Sequence, residues 1–168
     1  MLRSHDRIDK PETRVIAVLD LHKIPYRLLP HSREVFTVEE AAEQREVFMD
    51  EMVKAILLRD KKRRYVMTCV RGDMRVHTKA VRAVLAPEFQ RLQFASAEEI
   101  KEITGSVKGA VAPVDLPSDV RIVFDEAIVL CENVNLSSGH PAMGLEMKES
   151  DLIALCKPII APIAEEVI

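Results

Sequence analysis

Val53-Lys54-Ala55-Ile56-Leu57-Leu58-Arg59-Asp60-Lys61-Lys62-Arg63-Arg64-Tyr65-Val66-Met67-Thr68-Cys69-Val70 sets the architecture of the chain. Two β-prone runs, Val53 to Leu58 and Tyr65 to Val70, flank the charged turn Asp60 to Arg64, and the simplest arrangement of such a pattern is a β-hairpin. One residue breaks the first run. Lys54 interrupts an otherwise apolar strand, and alternation puts it on one face with Ile56 and Leu58. A lysine on a core-like face needs an anion or a carbonyl as partner, because an isolated buried charge is costly or loses its proton. A ligand phosphate or ester carbonyl would serve; so would solvent, if the stem snorkels out at the mouth of the strand.

Upstream of this hairpin, residues 12 to 22 place Val15, Ile16, Val18 and Leu19 at helical spacing, and Ile24 to Leu29 reads as a short strand. Thr37-Val38-Glu39-Glu40 is a capping box and predicts a short helix over 38–45. Downstream, Thr78 to Leu85 and Asp151 to Cys156 read as helices, and Ser96-Ala97-Glu98-Glu99 opens another that Gly105 can end. Leu92 to Ala95, Val120 to Asp125, Ile128 to Val134 and Leu145 to Met147 read as strands. Strands with interspersed short helices, without regular βαβ alternation, predict an α+β fold: a mixed, barrel-like β-sheet surrounded by short helices. With 168 residues, 48% hydrophobic, and no repeat or long linker, one domain over 1–168 is expected. Its core spans about 13–156, with an amino-terminal extension and an apolar tail, Lys157 to Ile168, that packs on the body or on a partner.

The start, MLRSHDRIDK, has no apolar signal core, and no apolar run approaches the roughly 20 residues of a membrane span, so a cytoplasmic protein is expected. Cys69, Cys131 and Cys156 are scattered, with no CxxC pair, and read as buried apolar thiols in a reducing compartment. Net charge is −3, which excludes a general nucleic-acid coat, yet its distribution is uneven. Between Lys54 and Arg91 eleven Lys and Arg face three acids, a local +8 that leaves −11 for the remainder. Such a segment suits a phosphate-bearing partner, and is equally a solvated hairpin and helix face.

Two further segments could carry chemistry. Thr104 to Pro113 holds Gly105 and Gly109 between a helix and a strand, where bare backbone N–H groups can approach a ligand and hold an oxyanion or water. It lacks the spacing of a Walker or Rossmann loop, and a helix C-cap followed by a turn also explains it. Asn135 to Pro141 reads as a polar turn between strands with one imidazole, His140. No carboxylate or nucleophile beside it completes a triad, and Ser137 and Ser138 stand in no G-x-S-x-G elbow. Asp125-Glu126 reads as turn placement rather than an acid pair, since strand neighbours point to opposite faces.

In their order and spacing, Phe36 to Ala42, Val53 to Leu58, Thr104-Gly105 through Gly109 to Pro113, Phe124-Asp125-Glu126, and Ser138-Gly139-His140-Pro141 leading into Gly144-Leu145-Glu146 resemble the YbaK and prolyl-tRNA-synthetase-associated editing domains, from about Thr13 to Cys156. The resemblance implies a YbaK-like fold and a trans-editing hydrolase that deacylates mischarged aminoacyl-tRNA, with tRNA for proline carrying alanine or cysteine as substrate. Residue by residue, it implies that Lys54 contacts the terminal adenosine's phosphate or the ester, and that Gly109 supplies backbone groups beside the scissile carbonyl. Phe36, Ala55, Ser137 and His140 would line the amino-acid pocket. The family uses no metal or cofactor; its partners would be the aminoacyl-tRNA acceptor end and a prolyl-tRNA synthetase, in a monomer or homodimer. Arg59, Lys61, Lys62, Arg63 and Arg64 would then guide the acceptor stem. Three positions differ from members of the family: Ala55 stands where cysteine-specific members carry Thr, Leu29 where they carry Tyr, and Pro113-Val114-Asp115 where the family has Pro-x-Gly. A non-catalytic tRNA- or synthetase-binding module, or a soluble domain that self-associates through its tail, are the competing readings.

Overall fold

The computed structural model describes residues 9–168, so residues 1–8 of the amino-terminal extension lie outside the described residues. The hairpin forms as the sequence predicts. Strands β2 (Val53–Arg59) and β3 (Tyr65–Arg71) pair antiparallel, from Val53 opposite Arg71 to Arg59 opposite Tyr65. Asp60 builds the turn. Its buried carboxylate accepts from the N–H groups of Lys62 at 2.8 Å and Arg64 at 3.0 Å, and pairs with the Arg64 guanidinium at 2.6 Å. Burial alone would raise this carboxyl, but those N–H groups and the guanidinium outweigh it and hold Asp60 below its ordinary value.

β3 is buried along its length up to Val70, because both of its faces are covered. It is the middle of a five-stranded sheet in the order β5 (Gln93–Phe94), β2, β3, β6 (Arg121–Asp125), β9 (Ile159–Ala161). The β3–β6 and β6–β9 pairs are parallel, so the sheet is mixed. One face carries Leu58, Val66, Val70 and Val123 against Val81 and Leu85 of helix α3 (Thr78–Val84) and its C-cap. Val53, Cys69 and Phe124 pack on Val15, Ile16 and Leu19 of helix α1 (Arg14–Leu21) and on Leu152 of helix α5 (Glu149–Cys156).

A second sheet, in the order β1 (Arg27–Pro30), β8 (Met143–Lys148), β7 (Asn133–His140), is antiparallel throughout, and a third pairs β10 (Ala164–Glu166) with β4 (Met74–Val76). The three sheets pack against one another and do not close into a barrel, so the α+β, mixed-sheet expectation holds while its barrel-like detail does not.

Helix α2 (Val38–Arg45) begins at Thr37, whose hydroxyl accepts from Glu40 N–H at 3.2 Å; the Glu40 carboxylate reaches one residue further back than a capping box requires, to Phe36 N–H at 3.1 Å. Helix α4 (Ala97–Thr104) carries the complete box and ends on Gly105 at φ +73°.

Four local readings are corrected. Ile24 belongs to the C-cap of α1, donating to Leu19 C=O at 2.9 Å, and β1 starts only at Arg27. Ile128 to Leu130 is no strand: Asp125 caps a 3-10 turn (Glu126–Leu130) by accepting from Ala127 N–H at 3.0 Å. Asn135 to His140 is strand rather than turn, with an irregularity between Ser137 and His140 where Gly139 takes φ +88°. Of the thiols only Cys69 is buried; Cys131 and Cys156 are partly exposed. The tail packs on the body through β9 and β10, clamped by the buried Asp125 carboxylate, which accepts from Ile163 and Ala164 N–H, both at 2.9 Å.

Candidate active site

β5 pairs with β2 only at Leu58 and Arg59, so on that side the edge of β2 from Val53 to Ile56 has no partner strand in its sheet. Along this open edge lies a cavity of about 270 Å³, bounded by α2, by β2 and by the loop that follows α4. It brings together Lys54, Gly109, Phe36, Ala55 and Ser137 from four separate stretches of the sequence-based site, and His140 is not part of its wall. His140 sits at the end of β7, where its Nδ1 accepts from Ala142 N–H at 3.0 Å.

Lys54 is half-buried, and its ammonium forms no ion pair or hydrogen bond among the described residues. Burial pushes its ammonium below the ordinary lysine value, opposed at longer range by Glu39 and Asp73. Asp73 is itself engaged by Arg71 at 2.5 Å and Glu39 makes no direct contact with Lys54, so the site presents a cation that lacks an anion.

Gly109 is required at its place. It adopts φ +90°, and a Cβ there would stand 2.5 Å from Phe36 C=O and 2.9 Å from Phe36 Cα, so the loop lies directly on the Phe36 backbone. Its own N–H donates to no protein acceptor among the described residues and stays available to a ligand.

Ser137 lines the cavity, accepts from Gly139 N–H at 3.0 Å, and its hydroxyl donates to no protein acceptor among the described residues. The neighbouring Ser138 is buried and donates to Met143 C=O at 2.7 Å. No thiol is a poised nucleophile: burial raises Cys69 well above its ordinary value and pushes Cys156 up to about 12. Among the described residues no cluster of three or more His, Cys, Asp or Glu is placed to hold a metal ion, and no helix is long and apolar enough to cross a membrane.

Of the five basic residues predicted to guide a polyanion, three are paired within the chain. Arg59 meets Glu99 at 3.1 Å, Arg63 lies 3.8 Å from Glu102, and Arg64 holds Asp60 while stacking on the Phe89 ring at 4.7 Å. Lys61 and Lys62, at the exposed hairpin tip, make no ion pair among the described residues.

Among the wall residues outside the sequence-based site, three carry an aromatic ring or a charge. Phe94 stands at the cavity, 63% exposed, and with Phe36, 50% exposed, sets two phenyl rings there. Lys108 adds a second amine beside Gly109. Arg45 also lines the cavity, and its sequence signal was an arginine that continues the helical stripe Val38, Ala41, Ala42.

The model of the aminoacyl-tRNA editing domain matches residues 32–155. A proline–tRNA ligase of Bacillus licheniformis is 35% identical over 103 residues, 61% of this chain and 18% of the ligase. The chain thus spans under a fifth of that relative, and 19% of the Aquifex aeolicus ligase, which is 26% identical over 111 residues. The prolyl-tRNA editing protein ProX of Acetoanaerobium sticklandii is 32% identical over 120 residues, covering 68% of this chain and 71% of that protein. Among solved structures, a hypothetical protein superposes with a TM-score of 0.82 at 25% identity, over 91% of this chain and all of its own. A protein described as a candidate trans-editing enzyme for prolyl tRNA synthetase gives 0.77 at 24% identity, over 90% and 95% of the two chains, a likeness of fold.

Proposed function

The chain belongs to the aminoacyl-tRNA editing domain family, and from that premise we propose that it is a trans-editing hydrolase that deacylates tRNA for proline carrying a small wrong amino acid, alanine or cysteine. The observation that carries this reading is the convergence of Lys54 and Gly109 on one cavity, the first a cation without an anion, the second a backbone N–H without an acceptor.

The reaction adds water to the ester carbonyl, passes through a tetrahedral oxyanion, and breaks the bond from the carbonyl carbon to the ribose oxygen. That oxygen takes a proton, and the free amino acid leaves. An aminoacyl ester is an activated bond, so a positioned water and a stabilised oxyanion suffice without a strong side-chain base. Gly109 N–H is the donor for the oxyanion; Lys54 holds the terminal phosphate or the ester oxygen. A ribose hydroxyl of the terminal adenosine orients the water. Phe36, Ala55 and Ser137 surround the amino-acid side chain, with His140 beyond the wall at the end of β7.

The acceptor end of the tRNA is the partner that this site implies, with Lys61 and Lys62 as the unpaired cations that steer it. The ligase relatives favour a prolyl-tRNA synthetase as a second partner. The test is deacylation of tRNA for proline charged with alanine, cysteine, serine or proline. Selective hydrolysis of alanyl or cysteinyl ester, with the prolyl ester spared, is the expected result. No hydrolysis of any ester above the spontaneous rate, with salt-sensitive tRNA binding retained, would replace the enzyme with a binding module of the same fold.

A further inference from the structure

Arg45 has no part in the chemistry proposed above, yet the fold builds a seat for it. It stands in the last turn of α2, roughly 10 Å along the helix from Val38 by helical rise, and lines the cavity together with Met52 and Ser137. Its Nε donates to His31 Nε2 at 3.1 Å, while His31 Nδ1 lies 3.0 Å from Pro141 C=O. These two contacts fix the ring: Nδ1 carries the proton and donates to the carbonyl, which leaves the Nε2 lone pair for the guanidinium. Burial, together with the Arg45 charge and against the Pro141 carbonyl, holds the His31 pKa below its ordinary value, so the ring stays neutral.

Gly144 makes the space. A Cβ at that position would lie 2.1 Å from Arg45 Nε, so only glycine admits the side chain past β8. Ser137 pairs opposite Gly144 in the β7–β8 register, which places its side chain, with no protein acceptor among the described residues, at the same end of the cavity. One terminal nitrogen of Arg45 meets only the Met52 sulfur, a weak acceptor, at 3.8 Å. The other has no acceptor, and no carboxylate pairs with this guanidinium among the described residues. Burial pushes it down to about 10. A cation oriented by a histidine and desolvated without a counter-charge is completed by an anion supplied from outside.

We propose that Arg45 and Ser137 form an oxyanion seat at this end of the cavity, and that it takes an oxyanion of the substrate. On the reading that an aminoacyl-tRNA end enters the cavity, two groups offer that chemistry: the phosphate of the terminal nucleotide and a carboxylate on the aminoacyl side chain. The planar fork of the guanidinium suits the two oxygens of either one.

The test is calorimetric binding of adenosine analogues that carry alanine, asparagine or aspartate through a stable 3′-amide, each with and without a 5′-phosphate. Wild type is compared with Arg45→Met, Arg45→Lys and Ser137→Ala, all checked by thermal unfolding. Wild type is expected to bind one anion-bearing analogue tenfold to a hundredfold (roughly) tighter than its neutral counterpart. Arg45→Met should erase that preference and Arg45→Lys keep part of it, and Ser137→Ala should weaken it should Arg45→Met fail to fold. A gain from the 5′-phosphate across all three side chains identifies the phosphate; a gain for aspartyl over asparaginyl identifies the carboxylate. Absence of any anion preference in wild type, or one that persists in the folded Arg45 and Ser137 variants, overturns the seat. No deacylation by wild type of any charged tRNA for proline, together with an anion preference that wild type shows and Arg45→Met lacks, would sink the hydrolase reading instead and leave the seat standing.

Discussion

Lys54 stands half-buried on an apolar strand, where its ammonium is partly desolvated and no carboxylate pairs with it directly among the described residues. Such a residue works against stability, and the physical reason to keep it is a ligand. Lys54→Met retains most of the stem and removes the charge, so thermal unfolding should show stability unchanged or raised by up to about 1 kcal/mol. The pH dependence follows from the direction of the shift. The folded pKa lies below 10.5, so between that folded value and 10.5 the unfolded chain binds more protons, and stability contributed by this group rises with pH. Binding of a phosphate-bearing, non-hydrolysable aminoacyl analogue should fall over the same window. The difference between wild type and Lys54→Met isolates both effects, and equal pH profiles in the two proteins would remove Lys54 from ligand binding. At Gly109 the constraint is steric: an alanine would meet the Phe36 backbone at 2.5 Å and take a left-handed φ. Gly109→Ala should cost about 1–3 kcal/mol and shift the loop; full stability with full activity would show that the loop tolerates a side chain.

The hairpin was legible in sequence because local signals agreed: two β-prone runs and a charged turn between them, which the structure pairs from Val53 opposite Arg71 to Arg59 opposite Tyr65. Its turn depends on Asp60, the buried acceptor for two N–H groups and one guanidinium. Asp60→Ala leaves those donors without an acceptor and should destabilise by about 2–3 kcal/mol in denaturant titration. The folded Asp60 pKa lies below 3.8, so its contribution is complete above that value and is lost as pH falls through the folded pKa. A stability difference between wild type and Asp60→Ala that did not shrink in acid would contradict this. The elements that sequence missed were those decided by tertiary contacts. Ile128 to Leu130 is as apolar as a strand, but the Asp125 carboxylate caps it as a 3-10 turn. Asn135 to His140 is polar enough for a turn, yet β8 pairs with it and makes it a strand. Arg45 was hidden for a similar reason: its role depends on His31, Ser137 and Gly144, which only the fold assembles.

Across the whole molecule, the open edge of β2 is what makes a cavity, and α2 with the Gly109 loop gives it walls. That gap was not readable from sequence, since it results from β5 being only two residues long. The uneven charge was readable, but its meaning changed once partners were visible. Arg59, Arg63 and Arg64 are tied to Glu99, Glu102 and Asp60, which leaves Lys61 and Lys62 as the unpaired cations of the hairpin turn among the described residues. Replacing both by alanine should therefore weaken tRNA binding and reduce the slope of log affinity against log salt by about two, with little change in stability. An unchanged slope would move the acceptor stem to another surface. Whether Lys54 acts on an aminoacyl ester in this cavity is tested most directly by single-turnover deacylation of alanyl-tRNA for proline by wild type and Lys54→Met. Hydrolysis by wild type, with a loss of about a hundredfold or more in a variant that unfolds at the same temperature or higher, is the expected result. Equal rates in the two proteins would contradict it.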